Sequence, residues 1–270
     1  MRLIYFLFFT IFIVSSCSKD RNLKKEYHEN NTIREEYYVN KNGKIDGILK
    51  KYNKNGQLMK LSYYENGKKE GFEIKYSEDG KTKSIGNFKQ GMREGKKIFF
   101  QSNNEIGKIL TYREDTLNGI NYTFYKNGLI EGIGYSKDTL INGPQYLYYK
   151  NGILHKYSYI KNNRQIFYKK FDSCGKMIKM DGYIMPKIMG YNSKQIPDTL
   201  WFNIINPPCS KNGVKIIEFD NNSENITYSE NNVNKVRYQI RDTSKNIRIE
   251  AFLRDLQTNK KLENHFELRK

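Results

Sequence analysis

The side chains best suited to chemistry are few and scattered. Three histidines, His28, His155 and His265, stand far apart, and none has a second ligand at the short spacing that a metal site uses. A nucleophilic cysteine needs a positioned histidine and a lowered pKa, and the sequence places no such partner beside Cys17, Cys174 or Cys209. No Gly-x-Ser-x-Gly elbow, Walker loop or dinucleotide fingerprint occurs. Acidic residues recur at Asp46, Glu70 and Glu94, but a regular ladder marks a structural position rather than a catalytic pair. The expectation is a chain that is not an enzyme and carries neither cofactor nor metal.

The elements that position these residues are β-strands. At 270 residues the chain can bury a sizeable core, and an aromatic content of 14%, with 22 tyrosines, excludes general disorder despite a hydrophobic fraction of 37%. Glycines set the rhythm. Gly47, Gly71, Gly95, Gly119 and Gly143 recur every 24 residues, and Gly56, Gly80, Asn104, Gly128 and Gly152 keep the same period. A third series is aromatic throughout: Tyr52, Tyr76, Phe100, Phe124 and Tyr148. Gly43, Gly67 and Gly91 form a fourth, lost in later copies. After the first glycine, apolar and polar residues alternate, as in Phe72, Ile74 and Tyr76 against Glu73 and Lys75, which is the period of a strand with one buried face. Asn55-Gly56, Asp79-Gly80, Asn127-Gly128 and Asn151-Gly152 then predict tight type I′ turns, and a second strand comes after each. Each repeat reads as one hairpin of a continuous antiparallel meander.

The pattern of glycine, aromatic, Asn-Gly and glycine resembles the variant MORN repeat, including the bacterial set labelled as YwqK-type antitoxins. Glu70-Gly71-Phe72-Glu73-Ile74-Lys75-Tyr76 and Tyr125-Lys126-Asn127-Gly128 carry the likeness, which covers residues 30–183 in about six units with degenerate ends. The resemblance implies an elongated all-β sheet that serves as a scaffold or interaction surface, and a toxin as one candidate partner. The aromatic series reads as packing between hairpins, as a binding face, or as both, since sides alternate along a strand.

The N-terminus carries an address. Met1-Arg2 is followed by an uncharged run, Leu3 to Val14, shorter than the roughly 20 residues that a bilayer-spanning helix needs. Val14-Ser15-Ser16-Cys17 resembles the bacterial lipobox. That likeness implies a signal peptide over 1–16, diacylglycerol on Cys17, a tether over 17–29 and attachment to a membrane in the cell envelope. The alternative is an ordinary secretory peptide with Cys17 near the cut. Ser18 lacks the aspartate of inner-membrane retention, which implies the outer membrane and leaves its face open. In an oxidising envelope Cys174 and Cys209 could pair and tie the last repeat to the C-terminal segment.

From 184 to 270 the rhythm is lost and Pro186, Pro197, Pro207 and Pro208 appear. Strand-like runs at Thr199–Ile205, Val214–Phe219, Val233–Arg241, Asn246–Leu253 and Leu262–Leu268 predict a small β-sandwich of immunoglobulin-like type. Trp201 reads as its core anchor or as a sugar-stacking platform. The formal charge of +18 is spread over lysine pairs with acids between them, with no dense basic arm. It favours an anionic partner surface, while the export signal makes nucleic acid an unexpected partner. The overall expectation is a lipid-anchored interaction protein with a protein partner, the alternative being an envelope binder of polysaccharide or anionic headgroups.

Overall fold

The computed structural model describes residues 21–184, 187–189, 199–220, 224–230, 235–240 and 246–268. The signal segment, Cys17, Pro186 and Pro197 lie outside the described residues. The described chain is all-β.

The repeats form one meander in which neighbours in the sheet are neighbours in sequence. Its strands are β1 (Asn22–Tyr27), β2 (Ile33–Val39), β3 (Ile45–Tyr52), β4 (Leu58–Glu65), β5 (Lys68–Tyr76), β6 (Thr82–Lys89), the short β7 (Met92–Arg93), β8 (Gly95–Phe100) and β9 (Ile106–Arg113). Next come the short β10 (Thr116–Leu117), β11 (Gly119–Phe124), β12 (Ile130–Lys137), β13 (Leu140–Tyr148), β14 (Leu154–Lys161), β15 (Arg164–Phe171) and β16 (Met177–Gly182). β1 lies inside the segment expected to be a tether, so pairing begins earlier than the glycine series announces.

Two turn types alternate, and the structure corrects their assignment. At Asn53–Gly56 the Gly56 N–H donates to the Asn53 carbonyl at 2.9 Å and only the glycine has positive φ. This is a three-residue loop closed by a left-handed glycine, with the Asn53 side chain accepting from the Asn55 and Gln57 N–H groups. Gly80, Gly128 and Gly152 close equivalent loops. The type I′ turns stand at the other end of each hairpin, where both central residues have positive φ: Asn66-Gly67, Gln90-Gly91, Glu114-Asp115, Asp138-Thr139 and Asn162-Asn163. Neighbouring turns also hold one another, in copies with glycine and without it. The Gly91 N–H donates to the Lys69 carbonyl, and Asp115, Thr139 and Asn163 do the same to Arg93, Leu117 and Ile141.

The Gly47 series occupies bulges within strands rather than turns. Between the pairs Ser62↔Glu73 and Tyr64↔Lys69, one residue of β4 faces three of β5, with Gly71 in the middle at φ 66°. The residue before the bulge glycine reaches the next type I′ turn. Glu70 accepts the Gln90 N–H at 2.8 Å, Glu94 the Glu114 N–H at 3.0 Å and Asn142 the Asn162 N–H at 3.0 Å. At Glu70 and Glu94 the acidic ladder is thus a turn cap, a role that asparagine fills at Asn142, while Asp46 accepts instead from Arg21 at 2.5 Å.

The chain divides into two compact units, one holding the described residues through Lys81 with Phe88–Gly91, the other Thr82–Asn87 and Met92 onward. The strands after 184 fall in the second of these units. They are β17 (Lys187–Met189), β18 (Thr199–Asn203), β19 (Ser210–Phe219), β20 (Glu224–Glu230), β21 (Lys235–Gln239), β22 (Asn246–Asp255) and β23 (Lys261–Leu268). They build two sheets, β17-β18-β21 and β20-β19-β22-β23. The chain changes sheets after its second, fourth and fifth strands, so the two antiparallel sheets of the sandwich exchange strands along the sequence. β22 alternates cleanly, with Ile247, Ile249, Ala251, Leu253 and Asp255 inward. The Trp201 backbone pairs with Met189 and Arg237 in β18, and its side chain lies outside the described residues.

Candidate functional site

Strand alternation and register sort the second unit's repeat residues onto two faces. One row runs Ile85↔Ile98↔Ile109↔Tyr122↔Ile133↔Tyr146↔Tyr157↔Lys169↔Met180 across successive strands. Phe100, Phe124 and Tyr148 stand two residues further along β8, β11 and β13 and so share this apolar face. Tyr122 and Phe124 stack at 6.3 Å between ring centroids. In the first unit Tyr52 and Tyr76 hold the corresponding positions, and the Tyr52 hydroxyl donates to Glu36 at 3.3 Å.

Burial along the row changes sharply. Ile85, Ile98, Ile109, Tyr122 and Ile133 are only half-buried, as are all five residues of the aromatic series. From Tyr157 onward the face is closed. Tyr157, Phe167, Phe171, Met177 and Met180 share one core with Leu200, Val214, Ile216, Val236, Ile247, Ile249 and Leu253 of the sandwich. Tyr157 meets Tyr146 and Phe167 edge-on at 5.3 Å and 6.1 Å, and burial pushes its phenol well above the ordinary tyrosine value. The sandwich therefore sits on the apolar face at the end of the array, and the remainder of that face in this unit has no second layer among the described residues.

Lys169 fixes this junction. It takes the inward place that Ile or Tyr holds in earlier copies and is fully buried. Its ammonium lies 2.5 Å from Asp255 and donates to the Pro208 carbonyl at 2.7 Å, the Ser210 hydroxyl at 2.9 Å and the Cys209 carbonyl at 3.2 Å. Burial alone would raise the Asp255 carboxyl, but the Lys169 contact and the Thr258 N–H and hydroxyl outweigh it and hold it below the ordinary carboxylate value. The disulfide considered between Cys174 and Cys209 is not formed, and both thiols are free and exposed. The tie between the last hairpin and the sandwich is ionic instead.

The opposite face is the more polar one, although Phe99, Leu110 and Leu147 also lie on it by register. Lys108, Asn121, Thr123, Gly132, Gly134, Gln145 and Ser158 succeed one another by register, with Lys156, Lys170 and Lys179 at its end. The histidines remain separate: His28 Nε2 lies 3.1 Å from the Tyr52 carbonyl, His155 packs 4.4 Å from the Tyr149 ring, and His265 lines a concavity of about 640 Å³ on the sandwich. Charges around that concavity pair with one another, Arg248 with Glu267 at 2.8 Å and Lys215 with Glu250 at 3.6 Å. Among the described residues no group of three or more His, Cys, Asp or Glu could hold a metal. No protein-family model matches the chain, and no curated protein matches it either.

Proposed function

We propose that this is a non-catalytic, lipid-anchored interaction protein of the cell envelope, and that the open apolar face between Ile85 and Tyr146 receives a protein partner. One observation carries the reading: the same face is already covered by polypeptide where the sandwich sits on it. A surface whose end accepts a β-layer has the chemistry to accept another along its continuation. Its rows combine aliphatic residues with Tyr122, Phe124 and Tyr146, the composition of protein interfaces. The resemblance to antitoxin-labelled repeats adds a toxin as the candidate partner. The lipid expected on Cys17 supplies the anchor in this reading.

The test is site-specific photocrosslinking in intact envelopes. A benzophenone side chain at Phe124 is expected to give a discrete protein adduct, and the same group at Lys108 on the polar face none. Adding Ile109→Ser and Ile133→Ser should lower the Phe124 adduct roughly tenfold or more, because buried anchors dominate such interfaces. Adducts of equal yield from both faces, or with glycan or lipid alone, would overturn the reading.

A further inference from the structure

Lys156, Lys170 and Lys179 are direct register neighbours on β14, β15 and β16, on the face opposite the sandwich. Their ammoniums gather around one ring, 5.6 Å, 5.9 Å and 5.8 Å from the Tyr168 centroid. Like charges directly across strands destabilise a sheet, yet none of the three forms an ion pair among the described residues. The neighbouring acid, Asp181, stands opposite Tyr168, and its Oδ1 accepts the Gly182 N–H at 2.8 Å.

The first unit shows what compensation looks like in the same setting. Lys51, Lys60 and Lys75 are also register neighbours on three strands. There Lys51 pairs with Glu35, and Glu73 receives Lys69 at 2.5 Å and Lys75 at 3.8 Å. The chain pairs carboxylates directly with one lysine row, whereas the other has Tyr168 as its hydrogen-bond partner at Lys179 and Asp181 only as a more distant charge. A lysine row held only by one aromatic ring, with no carboxylate paired to it, leaves positive charge that an anion from outside can meet.

We propose that Lys156, Lys170, Lys179 and the Tyr168 hydroxyl form a binding site for a phosphoryl group. Three ammoniums act as point charges with freely turning donors, which suits a tetrahedral dianion with oxygens to share. A carboxylate, with one charge and two oxygens, leaves a lysine unmatched. The site is independent of the apolar face, so partner binding there can fail while this site stands.

Thermal unfolding of the full chain at constant ionic strength tests it, with inorganic phosphate exchanged for chloride. Phosphate is expected to raise the melting temperature of the parent chain. Lys170→Gln should raise it without phosphate, by relieving repulsion, and should weaken phosphate binding about fivefold. The triple change Lys156→Gln/Lys170→Gln/Lys179→Gln should weaken binding on the order of a hundredfold. Lys108→Gln, on the same face but away from the cluster, should leave the response intact. Vesicles of phosphatidylcholine with phosphatidic acid, whose headgroup is a phosphomonoester, distinguish the sources. Vesicle binding displaced by phosphate assigns the group to a lipid headgroup, and phosphate binding without vesicle binding assigns it to a soluble phosphate ester. Equal responses to phosphate and chloride, or an undiminished response in the triple variant, would overturn the proposal.

Discussion

Lys169→Met is expected to destabilise the second unit by about 3–5 kcal/mol, because it strands a buried partner rather than because the pair itself is strong. The change leaves the fully buried Asp255 carboxylate without its cation and the Pro208 and Cys209 carbonyls without a donor. Against a domain stability of about 5–15 kcal/mol, that is enough to loosen the sandwich from the sheet. Lys169→Met/Asp255→Asn separates the two contributions. The amide keeps an oxygen for the Thr258 N–H at 2.7 Å and the Thr258 hydroxyl at 2.9 Å but carries no charge, so much of the loss should return. Chemical denaturation of the three proteins measures this, and a double variant no better than the single one would show that stranded charge is not the cause. The pH dependence has a defined sign. The folded Asp255 carboxyl lies below its ordinary value, so the pair stabilises fully above the unfolded value of about 4 and is lost as pH falls through the lower, folded one.

Gly182→Ala is expected to cost about 3–5 kcal/mol, combining backbone strain with displaced core. Gly182 has φ 116°, and a Cβ there would lie 2.2 Å from the Ile166 carbonyl oxygen and 2.7 Å from Phe167 Cα. Both are backbone atoms of the neighbouring strand, so no side chain can swing away. Relief requires separating β15 from β16, which breaks the Tyr183 N–H bond to Ile166 at 2.8 Å and shifts Phe167 and Ile184, both fully buried. Gly152→Ala is the control. It also has positive φ, 82°, but nothing lies within 4 Å of an added Cβ, and only the strain of about 1 kcal/mol remains. Comparable melting of the two variants would mean that the end of the array is not closed as described.

The repeats are legible in the sequence because hairpin geometry forces small residues into fixed places, and four series share one period. The turn types are not, since Asn-Gly serves both a type I′ turn and a loop closed by a left-handed glycine; the hydrogen bonds of Asn53 decide it. Lys169 is hidden by a one-residue slip. Gly152 is succeeded by a turn glycine at Gly175 rather than one residue later, and in a strand a shift of one exchanges the faces. A strict 24-residue period would turn Lys170 inward; the shortened copy turns Lys169 inward and leaves Lys170 in solvent. Read as a surface pair, the two lysines serve opposite faces. In the sandwich, β20 escapes a reading by pattern because Ile226 and Tyr228 are its only apolar residues, which suits an edge strand and gives little periodicity.

The central claim is that the second unit's apolar face is bare up to Tyr146 and covered from Tyr157. Tyrosine labelling of the free monomer, read residue by residue by mass spectrometry, tests it most directly. Tyr122 and Tyr148 should be modified readily while Tyr157, 3% exposed, stays protected until unfolding. Equal protection of all three would mean another layer covers the face, and rapid labelling of Tyr157 would mean the sandwich does not sit on it.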